Sequence, residues 1–257
     1  MNDRINQLRQ ESLNAIPRLC IERARLVTEA YEKYAGTVET PILRALVFKH
    51  VLAHKTLWIG EGELIVGEKG SQPQSAPSFP ELCCHSLEDL DVMNRREKIF
   101  FRVDDEARRL QAETIIPYWQ NRSLRQAILR HMSPEWHACY ENGIFTEFME
   151  QRGPGHTVLD GKIYAKGFLD FKDEIAAALA RLDFLNDPRA YERKIQLEAM
   201  NIACDAIILY GQRYAEYARE LAAKESRAER RAELQQIAAN CDVVPAHRPQ
   251  TFQQALQ

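Results

Sequence analysis

The chain has 257 residues, of which 45% are hydrophobic and 28% are charged, and its formal net charge at pH 7 is −3. This composition excludes an intrinsically disordered chain, and the nearly balanced charge argues against nucleic acid as a partner. No apolar run is long enough to span a membrane, and the charged first fifteen residues lack the apolar block of a secretory signal. We therefore expect a cytoplasmic protein whose six cysteines are reduced thiols.

Apolar spacing and helix-capping residues predict a mainly helical chain. In chain order, helices are predicted over 2–13, 21–34 and 41–55, from the capping box at 86–89, from Asp104 or Asp105 toward Trp119, and over 134–142. The apolar, β-branched segment Glu63–Gly67 is the one predicted strand. The polar, proline-rich segment 70–80 is predicted to be extended or coiled.

The longest predicted helix covers 187–224, with Asp187 as its cap and Pro188 at its first position. Apolar or small residues recur along it at alternating spacings of three and four, which predicts one buried seam. The seam consists of Leu197, Met200, Cys204, Ile207, Gly211, Tyr214, Ala218 and Leu221. Because the seam includes a glycine and an alanine, we expect close packing inside one globule rather than a coiled coil.

Three side-chain groups are candidates for chemistry, and each has a structural alternative that we favour. His50 and His54 are four residues apart on a predicted helix, but no third ligand follows in the pattern, so no metal site is expected. Cys83, Cys84 and His85 are adjacent, and neighbouring residues rarely chelate one tetrahedral ion. The charged run 227–231 is interpreted as a solvated helix face.

The segment Gly153-Pro154-Gly155-His156 is the best candidate for catalysis. Its glycines allow a tight turn and close approach to a ligand, and its proline stiffens the backbone. A histidine on such a loop can donate or accept a proton near neutral pH. The residues alone leave a second interpretation open, in which a hydrogen-bonded histidine merely completes a turn.

The run Phe145–Val158 resembles the active-site loop near the amino end of glycyl radical enzymes, the pyruvate formate-lyase-like family. Four other segments carry the same resemblance: Glu63–Lys69, Pro80–His85, Pro134–Trp136 and Cys241–His247. The chain is most similar to the members that dehydrate trans-4-hydroxy-L-proline. The similarity to members that act on pyruvate, glycerol or choline is weaker.

The resemblance implies that this chain is the amino-terminal helical part of a ten-stranded α/β barrel fold. In that family a radical S-adenosylmethionine activating enzyme installs a glycyl radical, which oxidises a cysteine to a thiyl that abstracts hydrogen from the substrate. Phe148 matches the aromatic wall against which the substrate ring packs. His156 matches the histidine that binds and protonates the departing hydroxyl. A homodimer is a further expectation from the family.

The chain departs from the family at the residues that carry the radical. The family's C-x-E cysteine loop and its glycyl radical loop have no counterpart here; Cys20-Ile-Glu22 fits in letters but lies in the amino-terminal helices. Family members are roughly three times as long. We therefore expect residues 1–257 to be a truncated part of the catalytic domain, which binds no cofactor itself and is inactive alone.

A helix signature begins at Thr251, less than two turns before the last residue of the sequence. It fits either the start of a longer element or a small terminal helix docked on the body. Two alternatives to a dehydratase fragment remain open at this point. One is a stand-alone interaction or regulatory protein that is not catalytic. The other is a fragment of a different glycyl radical lyase, such as a glycerol or diol dehydratase or a formate acetyltransferase.

Overall fold

The computed structural model describes residues 3–145 and 159–257, and these residues are mainly helical, as predicted. The elements in chain order are α1 Asp3–Asn14, β1 Arg18–Cys20, α2 Glu22–Tyr34, α3 Thr40–His54, β2 Ser75–Pro77, α4 Leu87–Arg95, α5 Asp105–Leu110, a π-helical turn Gln111–Ile115, α6 Ile116–Trp119, α7 Leu124–Leu129, α8 Pro134–Glu141, α9 Lys162–Ala165, α10 Phe168–Ala180, α11 Ala190–Lys224, α12 Ala228–Val243 and α13 Phe252–Leu256. None of the described helices is long and apolar enough to cross a bilayer.

The helix starts agree closely with the capping residues in the sequence. Ser86 accepts a hydrogen bond from the Asp89 amide at 3.1 Å, and the Asp89 carboxylate accepts one from the Ser86 amide at 2.8 Å, which completes the predicted capping box. The side chains of Asp104, Ser133 and Thr251 cap α5, α8 and α13 in the same way. Such starts are predictable because a cap satisfies amides of its own first turn.

The chain divides into two compact units. The first consists of Met1–Ala15, Glu29–Pro73 and Leu159–Gln257, and the second of Ile16–Thr28 and Gln74–Val158. In the second unit, β1 and β2 form a short parallel pair, and Arg102 bridges to Arg18 on β1. The predicted extended character of the 70–80 segment is confirmed, since β2 lies within it.

Helix α11 is the centre of the first unit and packs against α3, α10 and α12. A buried cluster joins the carboxyl-terminal half of α11 to α12 and to the segment that contains Val66. Its members are Val66, Tyr214, Ala215, Ala218, Ala222, Leu234, Ile237, Ala238 and Cys241. The many alanines allow the two helix axes to approach closely.

The prediction for α11 is right about its existence and its end but wrong about its start and part of its seam. The helix begins at Ala190, because Asp187 organises the preceding turn by accepting the Arg189 amide at 3.0 Å. Cys204, Gly211, Tyr214 and Ala218 are buried as expected. Leu197, Ile207 and Leu221 are only half-buried, and Met200 is exposed. Because α11 packs against three other helices, its buried residues lie on more than one side of the helix. The small residues are buried where the helices approach most closely.

The predicted strand Glu63–Gly67 is wrong, since this segment has no strand partner within residues 3–145 and 159–257. Side chains bind its backbone instead. The Gln257 carboxamide accepts the Val66 amide at 3.1 Å and donates to the Val66 carbonyl at 3.0 Å. Arg230 donates to the Glu63 carbonyl at 2.8 Å. Apolar, β-branched residues predict an extended backbone, but they do not predict whether a strand or side chains will form its hydrogen bonds.

Candidate functional site

The two residues predicted for the active site, Phe148 and His156, lie outside the described residues, as does the Gly153–Gly155 turn. Their placement therefore stays a prediction. The structure does describe the residues on either side of this stretch, and these belong to different units.

On the amino-terminal side, an aromatic cluster lies at the end of α8. Trp136 and Tyr140 are stacked, with ring centroids 5.1 Å apart and planes at 10°, and Phe145 meets the Trp136 ring edge-on at 5.2 Å. Arg125 donates a hydrogen bond to the Tyr140 hydroxyl. Phe145 follows α8 and packs against Trp136 on that helix. This contact sets the direction in which the chain leaves α8.

On the carboxyl-terminal side, the start of α10 is held by backbone contacts. The Phe168 and Leu169 amides donate to the Pro245 and Ala246 carbonyls, both at 3.0 Å. A Cβ on Gly167 would lie 2.2 Å from the Ala246 carbonyl oxygen, so this approach requires glycine. The chain that follows residue 158 is therefore anchored to the end of α12.

A cavity of about 480 Å³ lies beside this anchor, within the first unit. Its wall is mostly apolar and aromatic and includes a few polar side chains. The lining includes Ile207, Tyr210, Gly211 and Tyr214 of α11, Cys241 of α12, and Lys166, His247 and Gln257. Pockets of this size and character commonly hold small molecules or an apolar segment of protein.

Two phenols and one thiol of the cavity wall, those of Tyr210, Tyr214 and Cys241, are held in their neutral forms. Burial raises the pKa of Tyr210, and its hydrogen bond to Tyr214 adds to the effect. Burial also raises the pKa of the Cys241 thiol to about 12. Cys241 is thus a packed thiol rather than a nucleophile, because the reactive form of cysteine is the thiolate.

The other candidate groups behave as structural residues. The His50 and His54 rings pack 4.3 Å apart, and the His54 Nδ1 atom is 2.8 Å from the His50 carbonyl oxygen. Burial raises the pKa of the Cys84 thiol to about 11. All six cysteines are reduced thiols. Nowhere in the described ranges are three His, Cys, Asp or Glu side chains grouped to hold a metal ion.

The interpretation of 227–231 as a solvated helix face is wrong for Arg230. This side chain is 7% exposed and donates to the carbonyl oxygens of Gly60 and Glu63, each at 2.8 Å. The sequence holds no local signal for this burial, because the carbonyls come from a segment about 170 residues earlier. Lys55 was missed for the same reason: it is buried and donates to the Glu68 carbonyl at 2.7 Å.

A family model described as pyruvate formate lyase-like matches residues 1–257. The chain belongs to the pyruvate formate lyase-like family. Trans-4-hydroxy-L-proline dehydratase from Clostridioides difficile is 56% identical over 255 residues, which are 99% of this chain and 32% of that protein. Isethionate sulfite-lyase from Nitratidesulfovibrio vulgaris is 31% identical over 267 residues, which are 100% of this chain and 32% of that protein. The chain thus spans about a third of the length of these relatives.

Solved structures of family members share the fold of this pyruvate formate lyase-like chain. The crystal structure of the hydroxyproline dehydratase from Clostridioides difficile, with trans-4-hydroxy-L-proline bound, superposes with a TM-score of 0.94 at 56% identity, over 99% of this chain and 32% of that one. The glycerol-bound B12-independent glycerol dehydratase from Clostridium butyricum gives 0.90 at 31% identity, with the same coverage. The expected fold, the helical part of a glycyl radical enzyme, is confirmed.

Proposed function

We propose that this chain forms the amino-terminal helical part of a glycyl radical dehydratase that converts trans-4-hydroxy-L-proline to pyrroline-5-carboxylate. The observation that carries the proposal is the difference in identity between relatives over the same region. The hydroxyproline dehydratase is 56% identical, whereas the glycerol dehydratase, with a backbone nearly as similar, is 31% identical. Side chains, rather than the fold, distinguish substrates in a shared scaffold.

In this proposal the radical residues come from polypeptide outside residues 1–257. Five of the six cysteines lack the C-x-E spacing, and the sixth, Cys20, is buried in strand β1 rather than in the amino-terminal helices where it was expected. When formed, the radical would remove a hydrogen atom from the ring carbon next to nitrogen and return one after the 4-hydroxyl has left as water, so that the net change is the loss of one water. The residues of this chain bind the ring and protonate the departing hydroxyl. Phe148 packs against the ring face, which excludes water from one side of the substrate.

His156 is proposed to hydrogen-bond the 4-hydroxyl and to donate the proton with which it departs. Hydroxide is a poor leaving group, so a positioned acid lowers the barrier to its loss. An imidazolium suits this role near neutral pH, whereas no other residue from 153 to 159 can transfer a proton in that range. We further propose a cytoplasmic location, a compartment in which free cysteines such as the six of this chain stay reduced.

A chimera tests this proposal with the rest of the catalytic machinery in place. Residues 1–257 replace the aligned part of the Clostridioides difficile dehydratase, and the product is activated with that enzyme's activating enzyme, S-adenosylmethionine and a reductant. We expect a glycyl radical by electron paramagnetic resonance and turnover of trans-4-hydroxy-L-proline but not of glycerol.

A control chimera carries the corresponding region of the glycerol dehydratase and should form the radical without turning over hydroxyproline. Because radical yield reports folding and activation independently of substrate chemistry, it separates a damaged protein from a wrong assignment. The proposal is wrong if the first chimera forms the radical in normal yield but leaves hydroxyproline unchanged.

A further inference from the structure

An open cleft of about 560 Å³ lies at the end of α4, within the second unit. We call it the arginine cleft, because three guanidinium groups and one carboxylate line it. Its lining consists of Asn94, Arg95, Arg96, Glu97, Phe100 and Arg102. Pockets of this size commonly hold small molecules, and the excess of positive charge in this one favours an anionic occupant.

The positive charges of the arginine cleft are not neutralised by the chain itself. Across residues 3–145 and 159–257, no carboxylate forms an ion pair with Arg95, Arg96 or Arg102. By contrast, Arg108 in the same unit is paired with Asp91. Because like charges that share a cleft repel one another, an anion that binds between them is attracted by all three.

Two of the three guanidinium groups are held by contacts that leave donors free. Arg95 donates from its Nε atom to the Asp91 carbonyl at 3.2 Å, so its terminal nitrogens remain available. The Arg102 guanidinium lies 5.6 Å from the centre of the Phe100 ring. The planar fork of a guanidinium binds two phosphate oxygens at once, which suits phosphate groups better than a lysine ammonium does.

The loop that carries these side chains is closed and strained. Its ends are joined by a hydrogen bond from the Phe101 amide to the Met93 carbonyl at 3.0 Å, and by one from the Val103 amide to the Asn94 side-chain oxygen at 3.3 Å. Between these bonds, Ile99 has a φ of 53°, in the left-handed region that a β-branched residue rarely adopts. Backbone strain of this kind is concentrated at ligand-binding and active sites.

We propose that the arginine cleft binds the diphosphate group of a small soluble ligand. A diphosphate has oxygens on two phosphorus atoms, so it can accept hydrogen bonds from more than one guanidinium at the same time. A single phosphate would leave much of the 560 Å³ unfilled. The site is independent of the proposed dehydratase chemistry, because none of its residues has a role in that reaction.

Isothermal titration calorimetry of the 257-residue chain with sodium pyrophosphate at low ionic strength tests the proposal. We expect one site whose affinity falls as salt is added, and which binds inorganic phosphate at least about tenfold more weakly. Arg96→Gln should weaken pyrophosphate binding about 10–100-fold, because it removes a charged hydrogen-bond donor. ADP is the second probe: tighter binding than that of pyrophosphate assigns a nucleoside diphosphate, and binding no tighter assigns the inorganic form.

Arg181→Gln is the matched control, since Arg181 is an exposed arginine at the end of α10 in the first unit. It makes the same kind of bond as Arg95, from Nε to the Ala177 carbonyl at 3.1 Å. The variant removes the same charge as Arg96→Gln and should leave pyrophosphate binding unchanged.

Glu97→Gln removes the one carboxylate of the arginine cleft and should tighten pyrophosphate binding severalfold. A misfolded variant cannot produce such a gain. The proposal is overturned if pyrophosphate does not bind, if inorganic phosphate binds as tightly, or if Arg96→Gln and Arg181→Gln weaken binding equally. Circular dichroism checks that each variant is folded, which is expected because the three side chains are exposed.

Discussion

Replacing Arg230 by methionine removes a buried guanidinium that joins α12 to the segment 60–63. Arg230 donates to the carbonyl oxygens of Gly60 and Glu63, each at 2.8 Å, and to the Glu233 carboxylate at 3.0 Å. Methionine keeps the apolar stem of the side chain but donates no hydrogen bond. The Glu63 carbonyl oxygen then loses its Arg230 donor, and the Gly60 carbonyl oxygen keeps only the Glu63 amide at 3.2 Å.

The size of the effect follows from these contacts. A hydrogen bond from a charged donor contributes about 1.5–3 kcal/mol, and removing one partner of a buried ion pair costs about 3–5 kcal/mol. Glu233 keeps its second partner, Arg4, which moderates the loss. We expect Arg230→Met to lower the free energy of unfolding by about 3–5 kcal/mol, a large part of the total stability of a typical domain.

Urea unfolding followed by helical circular dichroism measures the change. Arg219→Met is the matched control, since Arg219 pairs with Asp242 on the surface with both side chains about half exposed. Such a pair contributes about 0–1 kcal/mol. Equal losses in the two variants would refute the reasoning, because Arg230 is buried and binds two backbone carbonyls, whereas Arg219 is half exposed and pairs with a surface carboxylate.

The same substitution should change the dependence of stability on acid. Burial by itself would raise the pKa of Glu233, but the hydrogen bonds from Arg4 and Arg230 outweigh it and lower the pKa below its usual value. A lowered carboxyl pKa contributes stability that is present at neutral pH and is lost as the pH falls through the folded-state pKa. The difference between parent and Arg230→Met should therefore shrink in acid, and a difference independent of pH would contradict this account.

Three further predictions concern packing and catalysis. Gly211→Ala should destabilise the chain by about 1–3 kcal/mol in thermal unfolding, since its Cβ would lie 2.6 Å from a proline ring atom, whereas Gly161→Ala, with nothing within 4 Å, should be nearly neutral. The 257-residue chain alone, incubated with the activating enzyme, S-adenosylmethionine and reductant, should give no glycyl radical signal. In the active chimera, His156→Gln should reduce kcat about 10²–10⁴-fold with normal radical yield, and unchanged turnover would reduce His156 to a turn residue.

The helix starts were predictable because their causes are local. A cap such as Ser86 or Asp104 satisfies amides two or three residues ahead, so the sequence contains both partners of the interaction. The same holds for Ser133 and Thr251. The end of α11 also agrees with its pattern, whereas its start was misplaced because Asp187 has two possible roles, as a cap and as a turn former.

Contacts between distant segments were not predictable in this way. The burial of Arg230 depends on carbonyls of the 60–63 segment, and the backbone of Val66 depends on a glutamine 191 residues later. Nothing in the local composition distinguishes Arg230 from the exposed arginines beside it. The candidate site at Phe148 and His156 rests on the family resemblance, because Gly153–His156 alone fits an ordinary turn equally well.

The π-helical turn Gln111–Ile115 connects α5 to α6 and sets the direction in which the side chains of α6 point. Each residue advances an α-helix by about 100°, so a turn with one extra residue rotates the following side chains by that angle. Trp119 lies beyond this turn, is buried, and donates from its indole nitrogen to the Thr28 hydroxyl at 2.8 Å. Deleting one residue here would give a more regular helix and yet swing Trp119 away from that hydroxyl. The packing of the second unit therefore depends on the number of residues between Asp105 and Trp119 as well as on their identity.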